Sequence, residues 1–386
     1  MSQEEVKCGG YSETITMLRF PLAILVVFIH VYHPDIDVYK LHSMGFSGIA
    51  VYEYVCRFFS MVLGSSAVPI FFMISGFLLF LKVDSYSKDI YMEKLRKRWQ
   101  TLAIPYFLWI VLYALEAIMS QEVGSLITHG KPWTDFIGFF RQNDCMHMFW
   151  DSRVWDERIT WLGVETHKSG PFLLPFWYMR DLIVMILLSP IVYWLVKRLR
   201  IVWICFLGII YVLDIKVSWM SGTFVVASLF FSVGSYFGIN KIDFTKALWK
   251  FRYVIFPLTL ILVCLQTYGI DEKNIYILSP WLVIFQSLAL IILASVLCKF
   301  PKLLAFNKKL ASTSFFVYSI HLFVLGYVTI IVNRLIPVRD IWYVNIANYF
   351  VTVMVIIAVC LILYWIMLKC VPDILGILVG DRKNKV

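Results

Sequence analysis

Ten apolar stretches of roughly membrane-spanning length follow one another along this 386-residue chain, at about 15 to 33, 66 to 81, 102 to 119, 177 to 195, 201 to 213, 222 to 239, 253 to 269, 280 to 298, 312 to 332 and 346 to 368. The fifth is the shortest. In lipid the backbone must satisfy its own hydrogen bonds, which confines a chain so patterned to helices packed in a bundle. Composition agrees, since 60% of residues are hydrophobic and 16% charged, too apolar for a soluble domain of this length. The expected fold is therefore all-α, a polytopic integral membrane bundle of about ten transmembrane helices. It forms a single domain over 1–386, with outer segments at 34–65 and 120–176 and a short cytoplasmic tail at 369–386. The first stretch is expected to stay in the mature protein. It carries Arg19 in its core and is followed by HPDID, not by a small-residue cleavage site.

Orientation follows from lysine and arginine. With the N-terminus inside, the cytoplasmic pieces hold 22 of these residues and the outer pieces 11, while Arg19 and Arg180 lie within spans. Both termini are thus expected in the cytoplasm, and the net charge of +10 needs no nucleic acid to explain it, because basic inner loops meet an anionic leaflet. The 8 cysteines show no paired spacing. Cys56 and Cys145 alone fall clearly outside, a pair that nothing else in the pattern supports. No internal repeat or low-complexity linker marks a second domain, and no residue spacing points to a metal.

Within the first stretch, Arg19 and His30 are eleven positions apart. On a helix that spacing puts both side chains on one face, about 16 Å apart along the axis. Ionisable residues inside a span mark a functional site by default. The bland alternative is an arginine that snorkels to the interface and a histidine held by a neighbouring helix. The outer segment 34–65 includes SGIAVYEYVCRFFSMVL, suited to a helix lying in the interface. The outer segment 120–176 brings Trp133, Trp150, Trp155 and Trp161 together with Asp144, His147, Asp151 and His167. Aromatic faces edged by polar groups suit sugar binding, and they also suit a belt at the headgroups.

An ordered set of motifs extends the pattern. After Arg19 and His30 come VPIFFMISGFLLF at 68–80, the basic stretch LRKRWQTLAIPYFLW, PFWYMRDLIVMILLSPI at 175–191 and STSFFVYSIHLFVL at 312–325. The set resembles the membrane acyltransferases of acyltransferase family 3, in family order from residue 19 to about 325. The resemblance implies transfer of an acyl group, usually acetyl, from cytoplasmic acyl-CoA to a carbohydrate hydroxyl on a polysaccharide or its lipid-linked precursor. The donor is a substrate and no metal is expected. The setting implied is a multi-pass protein of the bacterial cytoplasmic membrane, with the bilayer, acyl-CoA and a carbohydrate acceptor as partners. A homo-oligomer or separate glycan-assembly partners fit equally.

Under that implication, Arg19 near the inner side suits a CoA phosphate, which a guanidinium holds by paired charge-assisted hydrogen bonds. Arg96 and Arg98, with Lys97, form a basic cluster that positive-inside topology already explains and that also suits CoA phosphates. His30 near the outer end is the natural general base for a sugar hydroxyl. Its orienting carboxylate is open among Asp35, Glu53, Glu116 and Asp181, with Glu116 favoured for its place near the outer end of the third span. His321 shares a helical face with Tyr318 and Ser314, a polar stripe that either lines the channel or joins helices. Ser75, beside Gly76, is expected to allow close packing at the acyl channel and not to act as a nucleophile. Trp177, Arg180 and Asp181 at the outer edge of the fourth span either pair locally or face the acceptor, and His33 is a candidate proton relay. Many relatives carry a soluble hydrolase-like domain after the bundle; here only a basic tail follows, so an esterase-type partner is expected to be separate. The competing class is a polytopic transporter or flippase for a glycan or small solute. It would call for corresponding halves with interrupted helices, which this sequence does not display. A purely structural role would leave Arg19 and His30 unexplained.

Overall fold

The structure, a computed structural model, describes residues 10–32, 41, 44, 47–129, 146–159, 165–215, 223–268, 272–338 and 341–380, and for 125–129, 154–159, 165–168 and 272–274 the main chain alone. It is overwhelmingly helical. In chain order the helices are α1 (Tyr11–Val31), α2 (Gly48–Phe80), α3 (Lys88–Arg98), α4 (Ile104–His129), α5 (Trp177–Leu187), α6 (Ser189–Leu199), α7 (Ile201–Val212) and α8 (Phe224–Ile239). They continue as α9 (Phe244–Trp249), α10 (Arg252–Tyr268), α11 (Glu272–Leu297), α12 (Pro301–Leu310), α13 (Ser314–Leu335), α14 (Trp342–Cys370) and α15 (Pro372–Leu378). Two strands, β1 (Arg153–Ile159) and β2 (Glu165–Gly170), pair antiparallel as a hairpin.

Over its described residues each apolar stretch read from the sequence falls chiefly on helix, yet the helices differ in reach. Among the described residues six are long and apolar enough to cross a membrane, or seven if the pair Leu174–Leu187 and Ser189–Leu199, bent by 68°, counts as one span. Ile201–Val212, Phe224–Ile239 and Arg252–Tyr268 are shorter. The 12 residues of α7 rise only about 18 Å, well short of a hydrocarbon core of about 30 Å. The bend between α5 and α6 has a local cause. Pro190 has no N–H to continue the ladder, and the Ser189 hydroxyl donates back to the Ile186 carbonyl at 2.6 Å.

The described chain divides into two compact units. In the first (Met1–Val83, Phe230–Ile366), α1 is the hub and packs against α2, α11, α12 and α13. Its Val27 and Phe28 share one core with Val317 of α13 and with Val353, Ile356 and Cys360 of α14. Helix α2 widens by one π turn at Phe58–Leu63, which frees main-chain carbonyls inside the bundle. The Gln286 amide of α11 donates to the carbonyls of Val62 at 2.9 Å and Leu63 at 3.1 Å, satisfying both. Further along, α2 and α8 touch backbone to backbone. A Cβ on Gly76 would lie 2.2 Å from the Phe231 carbonyl oxygen, and one on Gly234 would lie 1.9 Å from that of Met73. Small residues are what allow this approach.

In the second unit (Asp84–Leu229, Met367–Val386), α3 is capped by the Ser87 hydroxyl, which accepts from the Ile90 N–H, and passes through a π turn at Trp99–Ala103 into α4. The C-terminal α15 is fastened to α4 where the Trp109 indole donates to the Leu378 carbonyl at 2.9 Å. Just beyond it Gly380, at φ +63°, lies so close to Thr101 that a Cβ would meet its carbonyl oxygen at 2.2 Å. That position admits only glycine.

Candidate functional site

Arg19 and His30 sit on α1 as the helical period expects, but their stripe is not uniformly open. Ala23 and Val26, between them on the same face, are buried at 0% and 2% exposure, whereas Arg19 is exposed and His30 is half-buried. The stripe is thus accessible at Arg19 and partly again at His30.

The structure brings His30 and His321 together. Their ring centroids are 5.2 Å apart with the planes inclined by 37°, one ring from the last turn of α1 and the other from the second turn of α13. His321 is buried, and its Nδ1 lies 2.8 Å from the main-chain carbonyl of Tyr318. A carbonyl only accepts, so Nδ1 carries the proton and Nε2 presents a lone pair. That Nε2 is buried with no hydrogen-bond partner among the described residues. A buried acceptor left unpaired costs stability, which makes it a candidate for receiving a proton or a hydroxyl. Sequence reading put both histidines in the site separately; their contact joins residues far apart in the chain.

The rest of the predicted stripe on α13 divides. Tyr318 contributes its carbonyl to His321 and is buried, whereas the Ser314 hydroxyl turns back to the Ala311 carbonyl at 2.9 Å and serves the start of its own helix. Close by in the chain from His30, the Tyr32 hydroxyl donates to the buried carboxylate of Glu53. The Ser60 hydroxyl bridges the Phe28 carbonyl and the Tyr349 hydroxyl, both at 2.6 Å. A polar seam therefore runs between α1, α2 and α14, and Glu53 is the one carboxylate of the four candidates described inside the first unit. Ser75 is half-buried immediately before Gly76, whose backbone contact with Phe231 accounts for the small-residue motif.

The remaining predicted residues belong to the second unit. Glu116 is half-buried on α4 and accepts from Ser120 one turn on, at 2.9 Å. Arg96 is exposed on the last turn of α3, and Arg98 lies beside Tyr178 at the start of α5, next to the half-buried Trp177. Arg180 and Asp181 pair locally and deeply. The guanidinium, 2% exposed, donates to Asp181 at 2.8 Å, to the carbonyls of Trp150 and Ser169 at 2.6 and 3.0 Å, and to the Thr223 hydroxyl at 3.0 Å. Thr223 in turn donates to Asp181 at 2.5 Å. These bonds tie α5 to the segment before β1, to the end of β2 and to the start of α8. His147 and the half-buried Asp151, at either end of a short turn, form an imidazole–carboxylate pair, where the sequence pattern names the two only singly. His33, Asp35, Trp133, Asp144, Cys145 and Trp161 lie outside the described residues, and Trp155 and His167 fall on the two strands with side chains undescribed. Cys56 is a buried free thiol.

No curated protein and no solved structure matches the chain. A family model does, and it runs from α1 into α14, taking in Arg19, His30 and His321. The match, to the acyltransferase domain of acyltransferase family 3, covers residues 13–365. With that span matched and the fold a bundle of apolar helices, the chain is a multi-pass membrane protein that belongs to acyltransferase family 3.

Proposed function

We propose that this protein transfers an acyl group, in the first instance acetyl, from cytoplasmic acyl-CoA to a hydroxyl of a cell-surface polysaccharide or of its lipid-linked glycan precursor, in a bacterial cytoplasmic membrane. The observation that carries this reading is the contact of His30 with His321, two imidazoles from different helices within the matched acyltransferase region. A thioester is already activated; a sugar hydroxyl is not, until a base begins to take its proton. His30 takes that proton as the hydroxyl oxygen attacks the thioester carbonyl. The lone pair on Nε2 of His321, beside it, stabilises the imidazolium so formed. Collapse of the tetrahedral intermediate breaks the carbon–sulfur bond, and the departing thiolate recovers the proton, leaving the ester and free CoA.

Arg19 holds a phosphate of the donor by bidentate hydrogen bonds, and Arg96 and Arg98 add to the cationic field that recruits it. An extended pantetheine arm matches the separation of about 16 Å between Arg19 and His30. It would follow α1 past Ala23 and Val26, so donor binding requires the neighbouring helices to part along that stretch. Two measurements test the proposal: the surface glycans of cells with and without the protein compared by mass spectrometry, and free CoA release by purified protein in lipid. A glycan mass increment that names the acyl group, with matching CoA release, is expected. Glycan movement without CoA consumption would favour a transporter.

A further inference from the structure

The last turn of α1 carries His30, and it is held on its far side by groups that the proposed chemistry does not use. After Val31 the chain leaves the helix, with Tyr32 extended at φ −114° and ψ 129°. Helix ends fray, so a general base placed in a last turn needs an external hold. Phe28 and His30 are two residues apart, about 200° of helical rotation, and their side chains leave α1 on opposite faces. The His30 ring turns to His321 of α13. The Phe28 ring turns to α2 and α14, where it stacks on Phe59 with centroids 5.4 Å apart and lies 5.6 Å from the ring of Tyr349.

A hydrogen-bonded chain crosses the same contact. The Ser60 hydroxyl, 2% exposed, donates to the Phe28 main-chain carbonyl at 2.6 Å. A serine has one hydroxyl proton and the carbonyl takes it, so the Tyr349 hydroxyl, also 2.6 Å away, donates to Ser60 Oγ. The chain therefore runs one way, from Tyr349 through Ser60 to Phe28, and each link polarises the next. Beyond the helix end, the bond from Tyr32 to the buried Glu53 fastens the chain to the same α2. Ser60 itself lies in the π turn Phe58–Leu63, a feature that occurs frequently at functional sites. The Phe28 ring would be buried by its aromatic neighbours alone. The two hydroxyls add direction, because dispersion contacts tolerate a sliding helix end whereas hydrogen bonds prefer one distance and angle. We infer that Ser60 and Tyr349 are positioning residues, which fix the last turn of α1 so that the His30 imidazole keeps its place against His321. The inference rests on the acyl-transfer reading for the role of His30 and deepens it by naming the groups on two other helices that keep the base in line.

The test uses the full chain in lipid nanodiscs with isotopically labelled histidine, comparing the wild type with Ser60→Ala and Tyr349→Phe, which remove the hydroxyls and keep the aromatic packing. The imidazole nitrogen signal of His30 is the one lost in His30→Gln. With no substrate present, that signal is expected to shift or broaden in both variants. In turnover, kcat should fall about tenfold or more for Ser60→Ala and several-fold for Tyr349→Phe, since small misplacements of a reacting group are costly. KM for acetyl-CoA and for the unacylated repeat-unit oligosaccharide of the host's surface polysaccharide should hold. The double variant should be no slower than Ser60→Ala, because both changes cut one chain. An unchanged His30 signal in both variants, fully additive losses in kcat, or a lowered melting temperature with kcat intact would each overturn the inference. Should Ser60→Ala fail to fold, Tyr349→Phe decides by the same signal. A His30 signal displaced in the variants of a protein that never consumes acetyl-CoA would leave the positioning chain standing and remove the acyl-transfer reading alone.

Discussion

Arg180→Ala is expected to unfold the second unit far more readily than any surface substitution, and the structure supplies the magnitude. The change removes a guanidinium that is 2% exposed, together with its bonds to Asp181, Thr223 and two main-chain carbonyls. It leaves the Asp181 carboxylate, 3% exposed, with Thr223 as its remaining hydrogen-bond donor among the described residues. Breaking a buried pair by deleting one partner costs about 3–5 kcal/mol, because the survivor is an uncompensated buried charge. Lysine should not rescue the site, since an ammonium cannot reproduce a planar fork directed at a carboxylate, a hydroxyl and two carbonyls. The double change Arg180→Met with Asp181→Leu should recover much of the loss, because it removes both charges together. Thermal unfolding in a fixed lipid or detergent background, monitored by a probe in the second unit, reads all three variants. A cost below about 1 kcal/mol for Arg180→Ala, the level of an exposed ion pair, would refute the reasoning and leave the other reading of its sequence position, an arginine that faces the acceptor.

Gly234→Ala should destabilise the contact of α8 with α2 by about 3 kcal/mol, the upper end for overpacking, because a Cβ there would lie 1.9 Å from a backbone oxygen that cannot rotate away. Gly208→Ala on α7, where nothing lies within 4 Å, should be neutral or slightly stabilising, and the two melting curves measured side by side check the contrast. Arg19→Ala should raise KM for acetyl-CoA about tenfold or more with little change in kcat, read from initial rates of CoA release; an unchanged KM would detach Arg19 from the donor.

The apolar periodicity of the chain disclosed where its helices lie, because hydropathy and helix share a physical cause. How far each helix reaches was less legible: α7, α8 and α10 read as spans by composition, yet their residues rise too little to match the longer helices. The shared face of Arg19 and His30 followed from helical geometry alone. The partner of His30 did not, since contact with His321 depends on how α13 packs against α1, and local spacing carries no trace of it. Arg180 and Asp181 look like a site residue pair in a motif. Their acceptors include main-chain carbonyls of Trp150 and Ser169, groups that every residue carries and that no sequence pattern marks. Glu53 illustrates the same limit, because its burial beside Tyr32 leaves no trace in the local sequence. His147 and Asp151 were both visible in the tryptophan-rich segment, yet their pairing depends on the short turn at His147–Phe149, which spacing alone does not fix.

The histidine pair decides whether the chemistry assigned to this bundle is right. The most direct measurement is single-turnover transfer of isotopically labelled acetyl from acetyl-CoA to the repeat-unit oligosaccharide by purified protein in nanodiscs, comparing the wild type with His30→Ala and His321→Ala at matched thermal stability. Loss of a general base predicts a rate lower by about 10²–10⁴-fold for His30→Ala. His321→Ala should cost less, because it removes the neighbour that steadies the imidazolium and not the group that takes the proton. Full wild-type rates in His30→Ala, with the protein folded and donor bound, would contradict the assignment.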